Sequence, residues 1–426
     1  MPAPEAPRDD ARPATAEPTA AARAEALRDW AASGAMALTG STDGPPTAAP
    51  GRAASFVRES LGRVAELAES RSGGRPTLPD VRLLGERAAI AGFTRNAPWS
   101  CGGAFRTMRT TDGWLGLSLA RTDDLSLVPA LVEGDVAGDP WLALTAWASL
   151  LPTEQAADRA QLLGLATASS LPGPTREPVL VTEGGSRRKP SDRPRILDLT
   201  SLWAGPLCAH LLAAGGAEMV KVESTRRPEG ARRGPPRFFD LLHAGHRMVA
   251  LDFGDPADVA RLRELVRSAD LVVEASRPRA LRQLGIDAAE VVADGTSWLS
   301  ITAHGRHAEL IGFGDDVAVG AGLAVRVDDA VVPCGDALAD PLAGVAAAVA
   351  AEEALASPTA RLVDVSMHHV AASVADGEPA PHVVRREGAM WWVDCDAGSF
   401  PVAEPVARVS VDAAGVLGAD NVEVLR

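Results

Sequence analysis

The chain has 426 residues, a formal net charge of −14 and 46% hydrophobic residues, with a mean hydropathy of +0.02. This length allows two cores and the hydropathy is that of a soluble globular protein, whereas the acidic balance excludes general binding to a nucleic-acid backbone. The cysteines, at positions 101, 208, 334 and 395, form no Cys-x-x-Cys pair. We therefore expect neither a zinc site nor a disulfide framework, and a cytoplasmic location.

The first 22 residues are rich in Pro, Ala and acidic side chains and lack the pattern of a signal peptide, so they predict a disordered tail. Residues 23–183 form a first region of mixed α and β character, and the polar stretch 184–192 predicts a linker. The first region's patterns predict helices over Trp30–Thr39, Ala53–Glu69 and Glu154–Ala166, and a hairpin across Gly102–Leu119 with its turn at Thr111-Asp112-Gly113.

Residues 193–426 alternate strand and helix patterns. Apolar runs at Ile196–Leu199 and Met219–Val222 flank the Ala/Leu-rich segment Cys208–Ala214, which predicts a βαβ unit. The pattern continues with strands at Met248–Leu251, Leu271–Val273 and Trp298–Thr302 and a helix at Ala257–Arg267. We therefore predict an α/β fold, a Rossmann-like domain whose parallel sheet binds its ligand at the carboxyl ends of the strands.

The Ala-rich run Ala339–Ala356 is apolar but carries acidic residues and a proline, so it predicts a buried helix rather than a membrane span. We expect no membrane partner.

Glu223, at the end of the second strand of the βαβ unit, imitates the acidic residue that holds a ribose in dinucleotide-binding proteins. The glycine fingerprint that accompanies that residue is absent. Trp203 and Pro206 occupy the loop in which a pyrophosphate needs closely approaching glycines. We therefore expect no NAD.

A polar loop follows the strand WLSIT and ends in the adjacent carboxylates Asp315 and Asp316. The preceding Gly-Phe-Gly allows a sharp turn and the close approach of a ligand. Taken alone, the aspartates suit either a ligand site or the cap of a helix that begins at Val317.

Four motifs of this region stand in the order and spacing of one known family: Asp198-Leu199-Thr200, Ala204-Gly205-Pro206, Gly216-Ala217-Glu218 and Lys221-Val222-Glu223. On these motifs the chain resembles the class III CoA-transferases, the CaiB/BaiF type. The resemblance continues through LLHAGHRMVALDF, ADLVVEASRPRALRQLGI and WLSITAHG, and covers nearly all of residues 195–375. In the first region, SGAMALTGSTDGPP and CGGAFRTMRTTDGWLGLSL resemble late parts of the family's chain, which makes this region similar to the family's α+β small domain.

The resemblance implies an enzyme that moves CoA between an acyl-CoA and a carboxylic acid through an aspartyl-CoA thioester. It places Asp315 on the nucleophile position, with Asp316 as the alternate because Gly314 makes the register uncertain by one residue. Such chemistry needs a carboxylate that stays ionised, so strong burial of this residue would oppose it. The resemblance also implies a homodimer and coenzyme A as part of the acyl-CoA substrate.

Contacts to CoA follow from the same resemblance. Several family residues are replaced at these positions, including the family's Asn by His243 and its catalytic-strand Lys by Thr302. The residues that the resemblance assigns to CoA are Trp203, Ala204, Arg226, Leu242, His243, Gly245, Ala275, Ser276, Arg277 and Thr302.

Two other functions remain open at this stage. The family's racemase branch, which moves a proton α to an acyl-CoA carbonyl, has a histidine directly before the loop aspartate, where this chain has Gly314, although His304 lies earlier in the loop. The altered CoA contacts also suit a non-catalytic CoA-binding paralogue or partner subunit. Adjacent histidines such as His368 and His369 cannot share one ligand face on a helix, so they predict no metal site.

Overall fold

The computed structural model describes residues 18–169, 176–187, 191–276 and 278–426. Its α-helices are α1 (Ala20–Ala32), α2 (Ala53–Ser72), α3 (Glu86–Ala91), α4 (Asp124–Val132), α5 (Pro140–Ala148), α6 (Thr153–Leu162), α7 (Ala204–Ala214), α8 (Pro236–His243), α9 (Pro256–Ser268), α10 (Pro278–Gln283), α11 (Ala288–Ala293), α12 (Gly314–Gly320), α13 (Ala339–Ala356), α14 (Met367–Ala375) and α15 (Asn421–Val424). Its strands are β1 (Phe105–Arg109), β2 (Trp114–Ser118), β3 (Ala166–Ser169), β4 (Val179–Ser186), β5 (Arg195–Leu199), β6 (Glu218–Ser224), β7 (Arg247–Leu251), β8 (Leu271–Glu274), β9 (Ser297–Thr302), β10 (Ala324–Val327), β11 (Ala330–Pro333), β12 (Thr359–Ser366), β13 (His382–Glu387), β14 (Met390–Cys395) and β15 (Gly398–Pro401).

The predicted α/β fold is confirmed by a seven-stranded central sheet in the order β4-β12-β9-β8-β5-β6-β7. Its neighbouring strands are parallel except for β4, which pairs antiparallel with β12 at one edge. The predicted βαβ unit is β5, α7 and β6. After β7 the chain crosses to the other side of β5 and adds β8, so the order reverses beside the carboxyl end of β5, where open α/β sheets bind ligands.

The edge strand β4 corrects the predicted linker. Gly184, Gly185 and Ser186 are the last residues of β4 rather than part of a connecting segment. A Cβ atom on Gly185 would lie 2.1 Å from the Ala293 carbonyl oxygen, so glycine lets β4 pass against the end of α11. These glycines are therefore packing residues of the sheet.

The N-terminal helices share a core with residues 193–426. Side chains of α1 and α2 pack in one apolar cluster with α7, α13 and α14. The predicted buried helix Ala339–Ala356 is confirmed as α13, whose many alanines allow helices to approach on several sides. Within the described parts of the chain, no helix is long and apolar enough to span a bilayer. Arg71, at the end of α2, pairs with the buried Glu352 of α13 through bonds of 2.8 and 2.9 Å.

A second, smaller core lies between the antiparallel sheet β1-β2-β3 and helices α4, α5 and α6. The predicted hairpin is confirmed here, because β1 and β2 pair from Phe105 to Ser118 and turn at the predicted residues.

Several predicted helix boundaries in the N-terminal region are wrong. The helix predicted over Trp30–Thr39 is divided in the structure. Its first three residues end α1, which begins at Ala20, inside the predicted tail, and stops before Gly34, whose φ is 82°; a short 3-10 helix follows at Met36–Leu38. Residues 1–17 of that tail lie outside the described residues. The helix predicted over Glu154–Ala166 ends at Leu162 because Gly164 has a φ of 74° and the chain then enters β3.

Candidate active site

A cavity of about 770 Å³ lies between the N-terminal region and residues 193–426. One wall is formed by the loops around β1 and β2, and the opposite wall by the loops after β5, β6 and β9. The residues that line it are Arg87, Ala91, Phe93, Gly102, Ala104, Ser118, Ala120, Arg121, Thr122, Asp123, Leu202, Trp203, Gly230, Ala231, Arg233, Gly234, Pro235, Phe238, Phe313, Gly314, Asp315, Ala337 and Asp340.

Asp315 lies on the cavity wall as the second residue of α12. Its Oδ1 accepts a hydrogen bond of 3.0 Å from the backbone N–H of Ala337, and the Ser100 hydroxyl also donates to this carboxylate. Gly314 lets the start of α12 pass close to the segment before α13, since a Cβ on Gly314 would lie 2.3 Å from the Ala337 carbonyl oxygen. The helix therefore holds Asp315 in one orientation toward the cavity.

Asp316 points away from the cavity into the protein. Its Oδ1 accepts a 2.6 Å hydrogen bond from the Ser118 hydroxyl, and both carboxylate oxygens lie 3.1 Å from the donating N–H of Phe313. The predicted helix start at Val317 is therefore wrong, because this contact begins the helix three residues earlier, at Gly314. Burial is the main cause that raises the pKa of Asp316 to about 8.

Asp315 belongs to a group of carboxylates around one guanidinium. Burial, followed by repulsion from Asp336, raises the pKa of Asp315 to about 6, while Arg87 opposes the rise. Burial likewise raises the pKa of Asp340 to about 7, against the same guanidinium. The expectation that Asp315 is not strongly buried is therefore wrong, since this residue is only 9% exposed.

Arg87 is the cation of this group and comes from α3, far from the aspartates in the sequence. Its guanidinium pairs with the fully buried carboxylate of Asp336 through two nitrogens, with an Nε–Oδ2 distance of 2.9 Å. It also lies 5.1 Å above the ring of Trp203 and 5.7 Å above that of Phe93. Although burial lowers the pKa of Arg87, its pairing with Asp336 raises it above the usual value.

The structure separates the residues that the resemblance assigns to CoA. Among the described members of that set, only Trp203 lines the cavity. Ala204, the next residue, donates its backbone N–H to Asp340 and so contacts the site from behind. Leu242 and His243 are buried within the protein, and burial lowers the pKa of His243 well below its usual value.

The remaining described residues of this set lie outside the cavity, and all but Gly245 are at the carboxyl ends of β6, β8 and β9. Arg226 is exposed after β6 and pairs with Asp252 at 2.8 Å, and Gly245 is in an exposed turn before β7. After β8, Ala275 is exposed and the Ser276 hydroxyl donates to Glu274, while Thr302, at the end of β9, accepts the N–H of Gly305 at 2.8 Å. Arg277 lies outside the described residues.

Two further arginines of the cavity lie outside the set that the resemblance assigns to CoA. Arg121 follows β2, pairs with Asp124 and lies 5.9 Å from the ring of Phe313. Arg233 is exposed on the wall formed after β6. Their signal in the sequence is weak, because arginines in loops are usually solvated and only the assembled fold brings these two together.

The histidines of the open alternatives lie elsewhere. Among the described residues lining the cavity there is no histidine. His304 stacks near His368 with ring centroids 5.4 Å apart, and burial lowers the pKa of His304 to about 4. The geometry therefore gives no support to a histidine base beside Asp315.

The fold and the cavity define a class of protein: an α/β protein with a buried carboxylate at a cleft beside the strand ends. Residues 193–390 match the model of CoA-transferase family III. This segment, called the family segment below, thus matches the family that the sequence motifs predict. It contains Asp315, Asp340 and Trp203, whereas Arg87, Arg121 and Ser118 lie outside it.

Curated relatives are similar over parts of the chain. Succinyl-CoA--D-citramalate CoA-transferase of Chloroflexus aurantiacus is 28% identical over 199 residues, which cover 42% of this chain and 50% of that protein. Succinyl-CoA:glutarate CoA-transferase of Mus musculus is 32% identical over 127 residues, covering 28% of this chain and 29% of that protein. The chain thus spans half or less of the length of these relatives. A CAIB/BAIF family protein from Brucella suis superposes with a TM-score of 0.43 at 21% identity, covering 47% of this chain and 64% of that one.

Proposed function

We propose that this protein transfers CoA between an acyl-CoA and a carboxylic acid, with Asp315 as the nucleophile. The observation that carries the proposal is the position of Asp315, the one of the two adjacent aspartates that lines the cavity, within the segment of family III. Asp316 is unsuited to the role because its oxygens are occupied by Ser118 and Phe313.

The chemistry proceeds through exchange at carbonyl carbons. A carboxylate oxygen of Asp315 attacks the donor's thioester carbonyl, the carbon–sulfur bond breaks, and a mixed anhydride and CoA thiolate result. The thiolate then attacks the Asp315 carbonyl and releases the donor acid, leaving an aspartyl-CoA thioester. The acceptor carboxylate then attacks the aspartyl thioester, which gives a second mixed anhydride and releases CoA thiolate. The thiolate attacks the acceptor's carbonyl carbon, forms the new acyl-CoA and releases the Asp315 carboxylate. No thioester is hydrolysed in this sequence.

The electrostatics of the cavity support this role. With a pKa of about 6, most of the Asp315 carboxyl groups are ionised at neutral pH and yet more basic than an exposed aspartate. Arg87 keeps the raised pKa of Asp315 from rising further despite the repulsion from Asp336. The Ala337 N–H, 3.0 Å from Oδ1, is placed to stabilise negative charge on the carbonyl oxygen of the aspartyl intermediates.

Recognition of CoA is assigned to the exposed side of the cavity. Arg233 offers a guanidinium to the phosphates of CoA, and Trp203 offers an aromatic surface in the cavity wall. The donor and acceptor acids are proposed from the relatives' names, in which succinyl-CoA is the donor and citramalate or glutarate the acceptor. Succinyl-CoA is therefore the first donor to try.

Mass spectrometry of the intact protein tests the proposal. The full chain is incubated with succinyl-CoA and other acyl-CoAs and then treated with hydroxylamine, which traps an aspartyl thioester as a hydroxamate. We expect the modification to map to Asp315, to vanish in Asp315→Asn and to persist in Asp123→Asn, a matched control from the opposite wall of the same cavity.

The outcomes separate the alternatives. No adduct with any donor, together with calorimetric binding of CoA, contradicts the transferase and favours a non-catalytic CoA-binding protein. Exchange of the α-hydrogen of a 2-methylacyl-CoA with solvent deuterium, without an adduct, favours the racemase instead. The homodimer implied by the family is a separate proposal, tested by sedimentation of the full chain.

A further inference from the structure

A second cluster of ligand-type side chains lies away from the cavity, beneath α8. Asp198 comes from β5, His243 from the last residue of α8, and His246 from the turn before β7. One ligand atom of each side chain lies within 4.8 Å of the other two. The Nδ1 atoms of the two imidazoles are 3.3 Å apart. We call these three residues the His-Asp cluster.

The imidazoles are fully enclosed but incompletely paired. His243 is 0% exposed and His246 5% exposed, and Asp198 is 0% exposed. The Nε2 atom of each histidine has no hydrogen-bond partner among the described residues. Burial disfavours the charged imidazolium, and a neutral ring has one N–H and one lone pair. In the Nδ1–Nδ1 contact one ring therefore donates and the other accepts, which leaves the donating ring an unused lone pair on Nε2 and the accepting ring an unpaired Nε2–H.

The buried surroundings carry more negative than positive charge. Three buried carboxylates, on Asp198, Glu223 and Glu229, face the cationic side chains of Lys221 and Arg232. An uncompensated buried charge is costly, so this arrangement favours a further cation.

Asp198 retains an oxygen that is weakly occupied. Its Oδ1 accepts from the N–H and the hydroxyl of Thr200 at 2.8 and 2.6 Å. Its Oδ2 has only a long contact of 3.4 Å to Lys221, whose ammonium lies closer to Glu229, at 2.6 Å, and to the Thr200 carbonyl oxygen, at 3.0 Å. Oδ2 thus accepts one long hydrogen bond from Lys221 and keeps a further lone pair for a second positive centre.

We propose that the His-Asp cluster binds a divalent transition-metal ion of the Zn²⁺ type that ties α8 to β5. Two neutral imidazole nitrogens and one carboxylate oxygen are a ligand set that such ions prefer, and a hard cation such as Mg²⁺ prefers oxygens alone. The cluster's residues are not among those that line the cavity, so the ion has a structural role and the proposal does not depend on CoA transfer. It replaces the sequence-based expectation of a metal-free protein.

The full chain is produced in medium supplemented with Zn²⁺ or Co²⁺, because so enclosed a site fills during folding. We expect stoichiometric metal by elemental analysis after gel filtration, and visible d–d bands of Co²⁺ typical of a four-coordinate site with nitrogen and oxygen ligands. His246→Asn should lose both the metal and the bands. The control His382→Asn, which alters a histidine on β13, should keep them.

A second measurement covers the case in which His246→Asn does not fold. X-ray absorption on the wild-type zinc protein must then show imidazole nitrogen in the first coordination sphere. Wild-type protein without stoichiometric metal, metal retained by a folded His246→Asn variant, or a coordination sphere without imidazole each overturns the proposal.

Discussion

Removing the guanidinium of Arg87 should destabilise the protein strongly and disturb the cavity. In Arg87→Met, the carboxylate of Asp336 loses the partner that holds it through two nitrogens. Asp336 is 0% exposed and cannot turn to water, and Asp315 and Asp340 both lose the positive charge that opposes their raised pKa values. Leaving one member of a buried ion pair unpaired costs about 3–5 kcal/mol of unfolding free energy.

The double variant Arg87→Met/Asp336→Asn separates this effect from lost packing. Removing both charges abolishes the unpaired buried carboxylate, so the double variant should regain most of the lost stability. Arg82→Met serves as the matched control, because Arg82 and Asp80 pair at 2.6 Å on the surface with more than half of each side chain exposed. An exposed pair is worth roughly 0–1 kcal/mol, and the control should change little.

Urea unfolding at neutral pH and at pH 5 measures these differences. The penalty of Arg87→Met should shrink at the lower pH, because Asp315 and Asp340, with pKa values raised to about 6 and about 7, are then mostly protonated. A loss of less than about 1 kcal/mol for the single variant, or a double variant as unstable as the single one, would refute the argument that Arg87 compensates buried negative charge.

Three further results follow from the geometry. Gly314→Ala places a Cβ 2.3 Å from the Ala337 carbonyl oxygen, so we expect a loss of about 1–3 kcal/mol in urea unfolding. Gly185→Ala, whose Cβ would lie 2.1 Å from the Ala293 carbonyl oxygen, should lower the free energy of unfolding by a similar amount. The control Gly62→Ala lies in open space within α2 and should raise the free energy of unfolding by roughly 0.5–1 kcal/mol. The same change in all three variants would contradict the packing argument. The pKa of Asp316, raised to about 8, means that the native state holds a proton that the unfolded state has released. The proton held by Asp316 therefore makes the free energy of unfolding fall as the pH rises toward 8. The buried histidines, whose pKa values are lowered, have the opposite effect only below about pH 6.5, where histidines of the unfolded chain still take up protons. Unfolding from pH 6.5 to 8.5 should show a steeper fall for wild type than for Asp316→Asn, and identical slopes would count against the raised pKa.

The parts of the fold that the sequence predicts are those set by local patterns. The β5-α7-β6 unit, the hairpin of β1 and β2 and the helix α13 each have a period or turn signal within about twenty residues of chain. The edge strand β4 has no such signal. The Gly-Gly-Ser sequence at its end is typical of a linker. The packing reason for these glycines is visible only in the folded protein, where β4 pairs with β12 and its glycines lie against the end of α11.

The residues of the candidate site likewise include some that local sequence patterns predict and others that depend on the fold. Asp315 and Trp203 were predictable because each stands in a motif of the family segment. Arg87 was not, since its partner Asp336 is 249 residues away and no local pattern marks either residue. The choice between Asp315 and Asp316 also needed the fold, because it depends on Ser118, which comes from β2 and accounts for the orientation of Asp316.

The contribution of the N-terminal region explains why the family segment alone is an incomplete description of the cavity. Arg87, Arg121 and Ser118 contact or line the site from outside residues 193–390. Two ion pairs, Arg71–Glu352 and Arg87–Asp336, anchor that region to α13 and to the loop before it. Because the second pair also sets the charge around Asp315, the packing of the N-terminal region and the ionisation of the proposed nucleophile are linked. A substitution that loosens this region should therefore alter the reactivity of Asp315 even where the family segment remains folded.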